Sequence, residues 1–319
     1  MAELGQNIET AARFLADENV VAIPTETVYG LAGRIDSEKA IRKIFDVKNR
    51  PYTDPLIVHV ADVPSVETPV THFPPLARKL MEAFSPGPLT VLLPKSNQVS
   101  DLVTNGSLLV AIRIPNHPLT LALLKLVGTP LAAPSANPFG GISPTTAQHV
   151  QDGLGLKIPY ILDGGSCEVG VESTIIQIVG DDQIKVLRQG GIPEEELALF
   201  AELVRDENPE KPVVPGSMLS HYAPVKPLFL ATDSRTESLS PEITGVLAFD
   251  SYRKGIPEAN QILLSSSGNL QEAAQNLFQA LHRLDSMPVE CIVAVRLPDS
   301  GLGKAVNDRI FRASQKRTV

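Results

Sequence analysis

Cysteine is scarce in this 319-residue chain, which has only Cys167 and Cys291. The opening Met1-Ala-Glu-Leu-Gly lacks a basic region followed by an apolar core, so no signal peptide is expected. Together these features argue against a disulfide framework and fit a reducing cytoplasm, with both thiols acting as buried small hydrophobes. Aromatic residues make up 5% of the chain, which is thin for the interleaved stacking platform that single-stranded nucleic acid needs. Positive charge is also short. The net charge is −8 and the pI near 5.3, so a whole-chain polyanion binder is disfavoured while a local basic groove stays open. Long apolar runs are missing as well. The most apolar helical stretch, Leu119 to Val127, is short and contains Lys125, so no membrane span is predicted.

Several catalytic motifs are absent. Gly301-Leu-Gly-Lys304 lacks the earlier glycine and the hydroxyl residue of a P-loop, and there is no G-x-G-x-x-G, H-E-x-x-H, C-x-x-C or G-x-S-x-G. A P-loop ATPase, a Rossmann dehydrogenase, a zinc hydrolase and an α/β-hydrolase are all disfavoured.

What is present is an ordinary globular composition, 43% hydrophobic and 20% charged. The length exceeds what one core usually serves, so two domains are expected. The chain is organised around residues 24–55. An apolar strand, Val20-Val-Ala-Ile23, stops at Pro24 and presents Thr25, Glu26 and Thr27 before Gly30 lets the chain turn. A helix follows, with Ser37 as its cap and Ala40, Ile41, Ile44, Phe45 and Val47 on one stripe. It delivers Lys48 and Arg50 at its end, before Pro51. Two cations beside strand-end hydroxyls suit an anionic ligand, and the plainer alternative is a solvated helix end.

Further along, residues 7–17 read as an amphipathic helix. Strands are expected at 56–60, 89–93, 109–114, 131–133, 160–162, 173–179 and 185–187, with helices at 118–127 and from Pro193. In the strand from Leu109 to Ile114, Val110, Ile112 and Ile114 share one face while Leu109, Ala111 and Arg113 share the other. An arginine in so apolar a strand needs a partner or a cleft. Ser143-Pro144 has the form of a helix start. From Glu207 the chain turns proline-rich and reads as a linker. Beyond Pro227, strands at 228–231, 245–249, 261–264 and 291–295 alternate with helices, notably 269–284, as in a small open α/β domain.

The cations Lys48, Arg50, Arg113 and Arg188, beside hydroxyls and helix N-termini, suit a phosphate and a carboxylate bound together. No covalent nucleophile stands out, so any catalysis would work by positioning and charge stabilisation.

The segments Pro24-Thr-Glu-Thr-Val-Tyr-Gly-Leu31, Lys48-Asn-Arg50-Pro51, Asp54-Pro-Leu-Ile-Val-His59, Ser85-Pro-Gly-Pro-Leu-Thr90, Arg113-Ile-Pro-Asn-His-Pro118 and Ala133-Pro-Ser-Ala-Asn137 resemble the YrdC-type threonylcarbamoyl-AMP synthases. Glu172-Ser-Thr-Ile175, Arg188-Gln-Gly and Pro215-Gly-Ser-Met-Leu-Ser-His-Tyr-Ala-Pro224 extend the resemblance into the long form of that family, over essentially the whole chain. The resemblance implies a YrdC-like twisted mixed sheet with helices over residues 1–206. It implies a linker over 207–226 that folds over the active site, and a smaller Rossmann-like open α/β domain over 227–319.

It also implies a nucleotidyltransferase that condenses L-threonine, bicarbonate or CO₂ and ATP, with Mg²⁺ carried by ATP rather than held in a protein site. Partner proteins would pass the product to tRNA, with at most a weak direct tRNA contact. Arg113 would pair with the threonine carboxylate, and Thr27, His59, Ala133 and Ser173 would line the same pocket. Lys48 and Arg50 would be catalytic. With Asp54, Leu109, Ser135, Asn137, Ser143, Arg188 and Tyr222 they would hold the nucleotide. Relatives often carry asparagine where this chain has Asp54, and a carboxylate near phosphates repels them unless it binds Mg²⁺ or points away.

A proline-rich connector needs only length, yet Ser217 to Tyr222 supplies a serine, a histidine and an aromatic. That composition predicts a lid that shields a hydrolysable mixed anhydride from water. The rival from another class is an RNA-binding or translation module using the same cleft without chemistry. The acidic balance and the few aromatics weigh against it.

Overall fold

The computed structural model describes residues 1–204, 214–216 and 221–315. The linker positions 205–213 and 217–220, including most of the expected lid, lie outside the described residues. The chain divides into two compact units. The first comprises Met1–Pro138, Pro144–Glu168 and Glu172–Ser217, and the second Phe139–Ser143, Val169–Val171 and Met218–Val319.

The first unit opens with β1 (Glu3–Gly5), α1 (Ile8–Ala16), β2 (Val21–Ile23), β3 (Gly30–Arg34), α2 (Glu38–Lys48) and β4 (Ile57–His59). It continues through α3 (Pro75–Phe84), β5 (Leu89–Pro94), α4 (Asp101–Thr104), β6 (Leu109–Arg113), α5 (Pro118–Val127) and β7 (Leu131–Ala132). It ends with α6 (Ala147–Leu154), β8 (Tyr160–Leu162), β9 (Thr174–Ile178), β10 (Gln183–Arg188), α7 (Glu194–Leu197) and β11 (Glu202–Leu203). The strands form one sheet in the order β1-β8-β2-β3-β7-β4-β6-β5-β9-β10-β11. Parallel pairs such as β4·β6 and β5·β9 alternate with antiparallel ones such as β2·β3 and β5·β6, so the sheet is mixed.

The pleat sorts side chains between two apolar layers. Val58, Val91, Val110 and Ile112 belong to one cluster, while Ile57, Leu92, Ala111 and Ile175 belong to another. By the same alternation His59, Thr90, Arg113 and Ser173 fall on the face of this second, smaller cluster. Val214, from the proline-rich stretch, is buried in that smaller cluster too.

Helix α2 forms because Ser37 accepts a hydrogen bond from the Ala40 N–H at 3.1 Å and the apolar stripe packs inward. Ile41 and Ile44 are fully buried, worth about 1.5–3 kcal/mol each. The helix ends where Asn49 turns left-handed at φ 53°, a C-terminal geometry that asparagine tolerates.

Two local expectations are corrected. Gly30 does not make a turn but starts β3, paired with Ile23. A Cβ there would lie 3.2 Å from that of Ala133, so close strand approach is what calls for glycine. The helix expected at Ser143-Pro144 starts instead at Ala147, capped by Thr146. The Pro144 carbonyl accepts from the Tyr29 N–H at 2.8 Å, which commits that backbone to β3's approach rather than to a helix.

The second unit contains β12 (Leu228–Leu230), β13 (Thr244–Ala248), β14 (Gln261–Leu263), α8 (Leu270–Ser286), β15 (Cys291–Ala294) and α9 (Leu302–Ser314). Its sheet runs β12-β15-β13-β14 with every pair parallel, an open α/β layout. Leu277, Phe278 and Leu281 of α8 and Val306 and Ile310 of α9 are fully buried. No helix among the described residues is long and apolar enough to cross a membrane.

Candidate active site

Strand register builds the first half of the site. His59 pairs across β4·β6 with Arg113, and Arg113 pairs across β6·β5 with Thr90, giving one row over three neighbouring strands. The Arg113 guanidinium is buried. Its Nη2 lies 2.8 Å from Glu26 Oε1 and donates to Thr27 Oγ1 at 2.8 Å, while Nε donates to the Gly87 carbonyl at 3.4 Å. Nη1 has no hydrogen-bond partner among the described residues, so it is a free donor for an anion. The partner that Arg113 required is thus Glu26, whose other oxygen accepts from the Asn116 N–H at 2.9 Å.

The turn presenting Glu26 and Thr27 is fixed by Thr25. Its hydroxyl donates to the Val28 carbonyl at 2.6 Å and accepts from the Val28 N–H at 3.2 Å. His59 is fully enclosed. Burial, then the neighbouring positive Arg113, push its pKa down to about 3, so the ring is neutral near pH 7. Its Nδ1 has no aligned hydrogen-bond partner among the described residues.

The row continues to the second half. Thr90 Oγ1 and Ser173 Oγ share a hydrogen bond at 2.7 Å. Arg188 grips Ser173 with Nε and Nη2 donating to its carbonyl at 3.1 and 2.8 Å, and Nη2 donating to its hydroxyl at 3.0 Å. Arg188 Nη1 also donates to the Pro215 carbonyl at 2.7 Å. At Gly190 a Cβ would fall 2.3 Å from the Ser173 carbonyl carbon, so the chain can close on Ser173 only with glycine there.

Lys48 is 1% exposed. Its Nζ donates to the Ser135 and Asn137 carbonyls at 2.5 Å each, and no carboxylate lies within ion-pair distance of it among the described residues. Burial, then repulsion from Arg50, hold its pKa well below 10.5, against the pull of Asp54. Arg50 lies 2.9 Å from Asp54 Oδ2, and it donates to the Asp54 and Pro55 carbonyls at 3.1 and 2.8 Å. Burial raises the Asp54 pKa, while Arg50, Lys48 and Arg188 oppose the rise. These four groups therefore share one field. Both Lys48 and Arg50 are buried, so the solvated helix end is ruled out. Asp54 is turned onto Arg50 rather than held open. No group of three or more His, Cys, Asp or Glu among the described residues could hold a metal ion.

Ala133 is buried, with its N–H donating to the Ile57 carbonyl at 2.9 Å. Leu109 lines a cavity of about 310 Å³ with Pro55, Leu56, Leu92, Thr104 and Pro215. Ser143 and Tyr222 belong to the second unit. The Ser143 carbonyl meets His282 Nε2 at 3.2 Å. Tyr222, at φ 63°, is packed against His221 and Phe278 with ring centroids 4.1 and 5.5 Å away. Sequence reasoning missed Thr90 as a site residue and noted Glu26 only as a strand-end carboxylate. Thr90 carries no signal of its own, because only the register shows that it faces Arg113.

The Sua5/YciO/YrdC family, described as "Telomere recombination", matches residues 13–190. The family described as "Threonylcarbamoyl-AMP synthase, C-terminal domain" matches residues 182–315. A threonylcarbamoyl-AMP synthase of Bacillus subtilis is 39% identical over 98% of this chain and 94% of its own length. The chain belongs to the threonylcarbamoyl-AMP synthase family. It is an enzyme of the nucleotidyl-transferring type. A relative of the same name from Pyrococcus abyssi is 36% identical over 98% of this chain and 95% of its own. The crystal structure of P. abyssi Sua5 complexed with L-threonine superposes with a TM-score of 0.85 at 35% identity, covering 96% of this chain and 94% of that one. That likeness spans both units' folds, the mixed sheet and the parallel one.

Proposed function

We propose that this chain makes threonylcarbamoyl-AMP and pyrophosphate from L-threonine, bicarbonate or CO₂, and ATP, and so supplies the N6-threonylcarbamoyladenosine modification of tRNA. The observation that carries the proposal is a continuous set of buried cations. Arg113 offers a free donor at one end, and Lys48, Arg50 and Arg188 share one field at the other. The set suits an amino-acid carboxylate and a nucleotide phosphate held together.

Threonine's carboxylate meets Arg113 Nη1, while Thr27 and the neutral His59 face its other polar groups. The amine, once neutral, attacks CO₂ and releases a proton. A carbamate oxygen then attacks the α-phosphorus and pyrophosphate leaves. Lys48 and Arg50 stabilise the charge that builds on the phosphates. Asp54 braces Arg50, and Mg²⁺ arrives as part of the ATP substrate. Positioning the bound reactants together supplies much of the acceleration.

The test is pyrophosphate release by the purified chain. Release that requires both threonine and bicarbonate supports the reading. A chain that binds tRNA yet releases no pyrophosphate under any combination overturns it.

A further inference from the structure

Glu26 has a side chain only 3% exposed, in a position where an acid is rarely tolerated without full pairing. A carboxylate offers about four lone-pair positions. Here the Asn116 N–H fills one, and Arg113 Nη2 stands 2.8 Å from Oε1. Oε1 itself accepts no aligned hydrogen bond among the described residues. A group that served only to neutralise Arg113 would have no need of such spare acceptor capacity.

We propose that Glu26 receives the ammonium group of the amino-acid substrate, so that the Glu26–Arg113 pair recognises a zwitterion. This deepens the threonine reading above and rests on it. The pair sets a free N–H donor, Nη1 of Arg113, beside an underused anionic acceptor. An α-amino acid carries the complementary anion and cation on one carbon. The remaining neighbours suit the hydroxyl instead. His59, neutral and with Nδ1 lacking an aligned partner among the described residues, can exchange a hydrogen bond with a hydroxyl but adds no charge to stabilise a cation. Thr27 Oγ1 already accepts from Arg113 and shares a bond with Thr25 at 2.8 Å. Asp54, the other carboxylate of the candidate set, is held by Arg50. Placing two unit charges against two in a dry pocket also rejects ligands lacking either one, since each omission leaves a buried group unpaired.

The test is calorimetric binding to the full chain of L-threonine and of 3-hydroxybutyrate with the same hydroxyl configuration, which lacks only the amine. Wild type should prefer threonine by at least about tenfold, or about 1.4 kcal/mol. Glu26→Gln should lose that preference through threonine alone, with 3-hydroxybutyrate affinity held, and that retained affinity also reports an intact site. Parallel loss of both ligands overturns the proposal, because Glu26 then only braces Arg113. Should Glu26→Gln not fold, equal affinity of wild type for the two ligands overturns it without any variant. A wild type that binds neither ligand brings down the threonine reading itself, which separates the two failures.

Discussion

Lys48 in the first unit and Arg309 in the second are both sealed from solvent, at 1% and 0% exposure, yet they are compensated in opposite ways. Arg309 Nη1 meets Asp308 Oδ2 at 2.9 Å, and its guanidinium lies 5.3 Å from the Tyr222 ring centroid. Burial alone would raise the Asp308 pKa, but Arg309 and Arg312 outweigh it and the net shift is downward. Lys48 meets carbonyl oxygens instead, and its own pKa is driven down. A cation matched within the fold is a packing element. One whose hydrogen bonds go only to carbonyl dipoles, with burial outweighing the pull of a nearby carboxylate, is poorly stabilised until an anion reaches it.

Arg113 stands between these cases, and its removal should have the largest effect. Arg113→Ala leaves Glu26 buried without its cation, a loss of about 3–5 kcal/mol in stability. It should also weaken threonine binding by about 2–5 kcal/mol. Denaturant titration and calorimetry read the two losses separately. Unchanged threonine affinity would take Arg113 out of the site.

Lys48→Met should separate activity from stability. The rate of threonine-dependent pyrophosphate release is expected to fall about 10²-fold, while the fold survives because a poorly stabilised charge has been removed. Normal turnover with an early melt would make Lys48 a packing element like Arg309. A pH series sharpens the same point. The folded-state pKa of Lys48 lies below its ordinary 10.5, so between those two values the unfolded chain binds the additional proton. Stability of wild type relative to Lys48→Met should therefore rise with pH through that window and stay flat below it. A falling difference would mean that the amine is stabilised, not strained, by the fold. Arg309→Met is the counterpart in the second unit. Asp308 keeps Arg312 at 3.0 Å, so the expected cost is only about 1–3 kcal/mol of stability.

The same contrast explains what could be read from the sequence. Helix α2 was legible because its signals are local: a serine cap, an apolar stripe and a stop before Pro51. The demand of Arg113 for a partner was legible from strand alternation. The partner's identity was not, because Glu26 and Arg113 are distant in sequence and only the path from β2 into β3 brings the turn to β6. Asp54 could not be resolved by composition either, since a carboxylate beside cations reads equally as a metal ligand or as an ion-pair partner. Helix α9 went unrecognised. Its Gly301-Leu-Gly-Lys304 start reads in sequence as an incomplete P-loop, and among the described residues no side chain caps its N-terminus.

The smallest effect concerns two helix caps of equal chemistry and unequal consequence. Ser37 caps α2 by accepting from the Ala40 N–H, and its hydroxyl donates to Glu18 Oε1 at 2.7 Å. Asn269 caps α8 by accepting from the Gln271 and Glu272 N–H groups at 2.8 and 3.0 Å. Either residue changed to alanine should cost about 1 kcal/mol. The helix in question matters for function in one case only, since α2 carries Lys48. Yet Lys48 sits at the far end of an eleven-residue helix, about 16 Å from the cap at 1.5 Å per residue. Its position there is fixed by the left-handed Asn49 and by the two carbonyls that hold its amine. Fraying at the first turn should therefore leave turnover per folded molecule unchanged in Ser37→Ala, as in Asn269→Ala. Activity normalised to the folded fraction, read by circular dichroism at the assay temperature, checks this. A drop confined to Ser37→Ala would mean that Lys48 is aimed by the whole helix rather than by its own end.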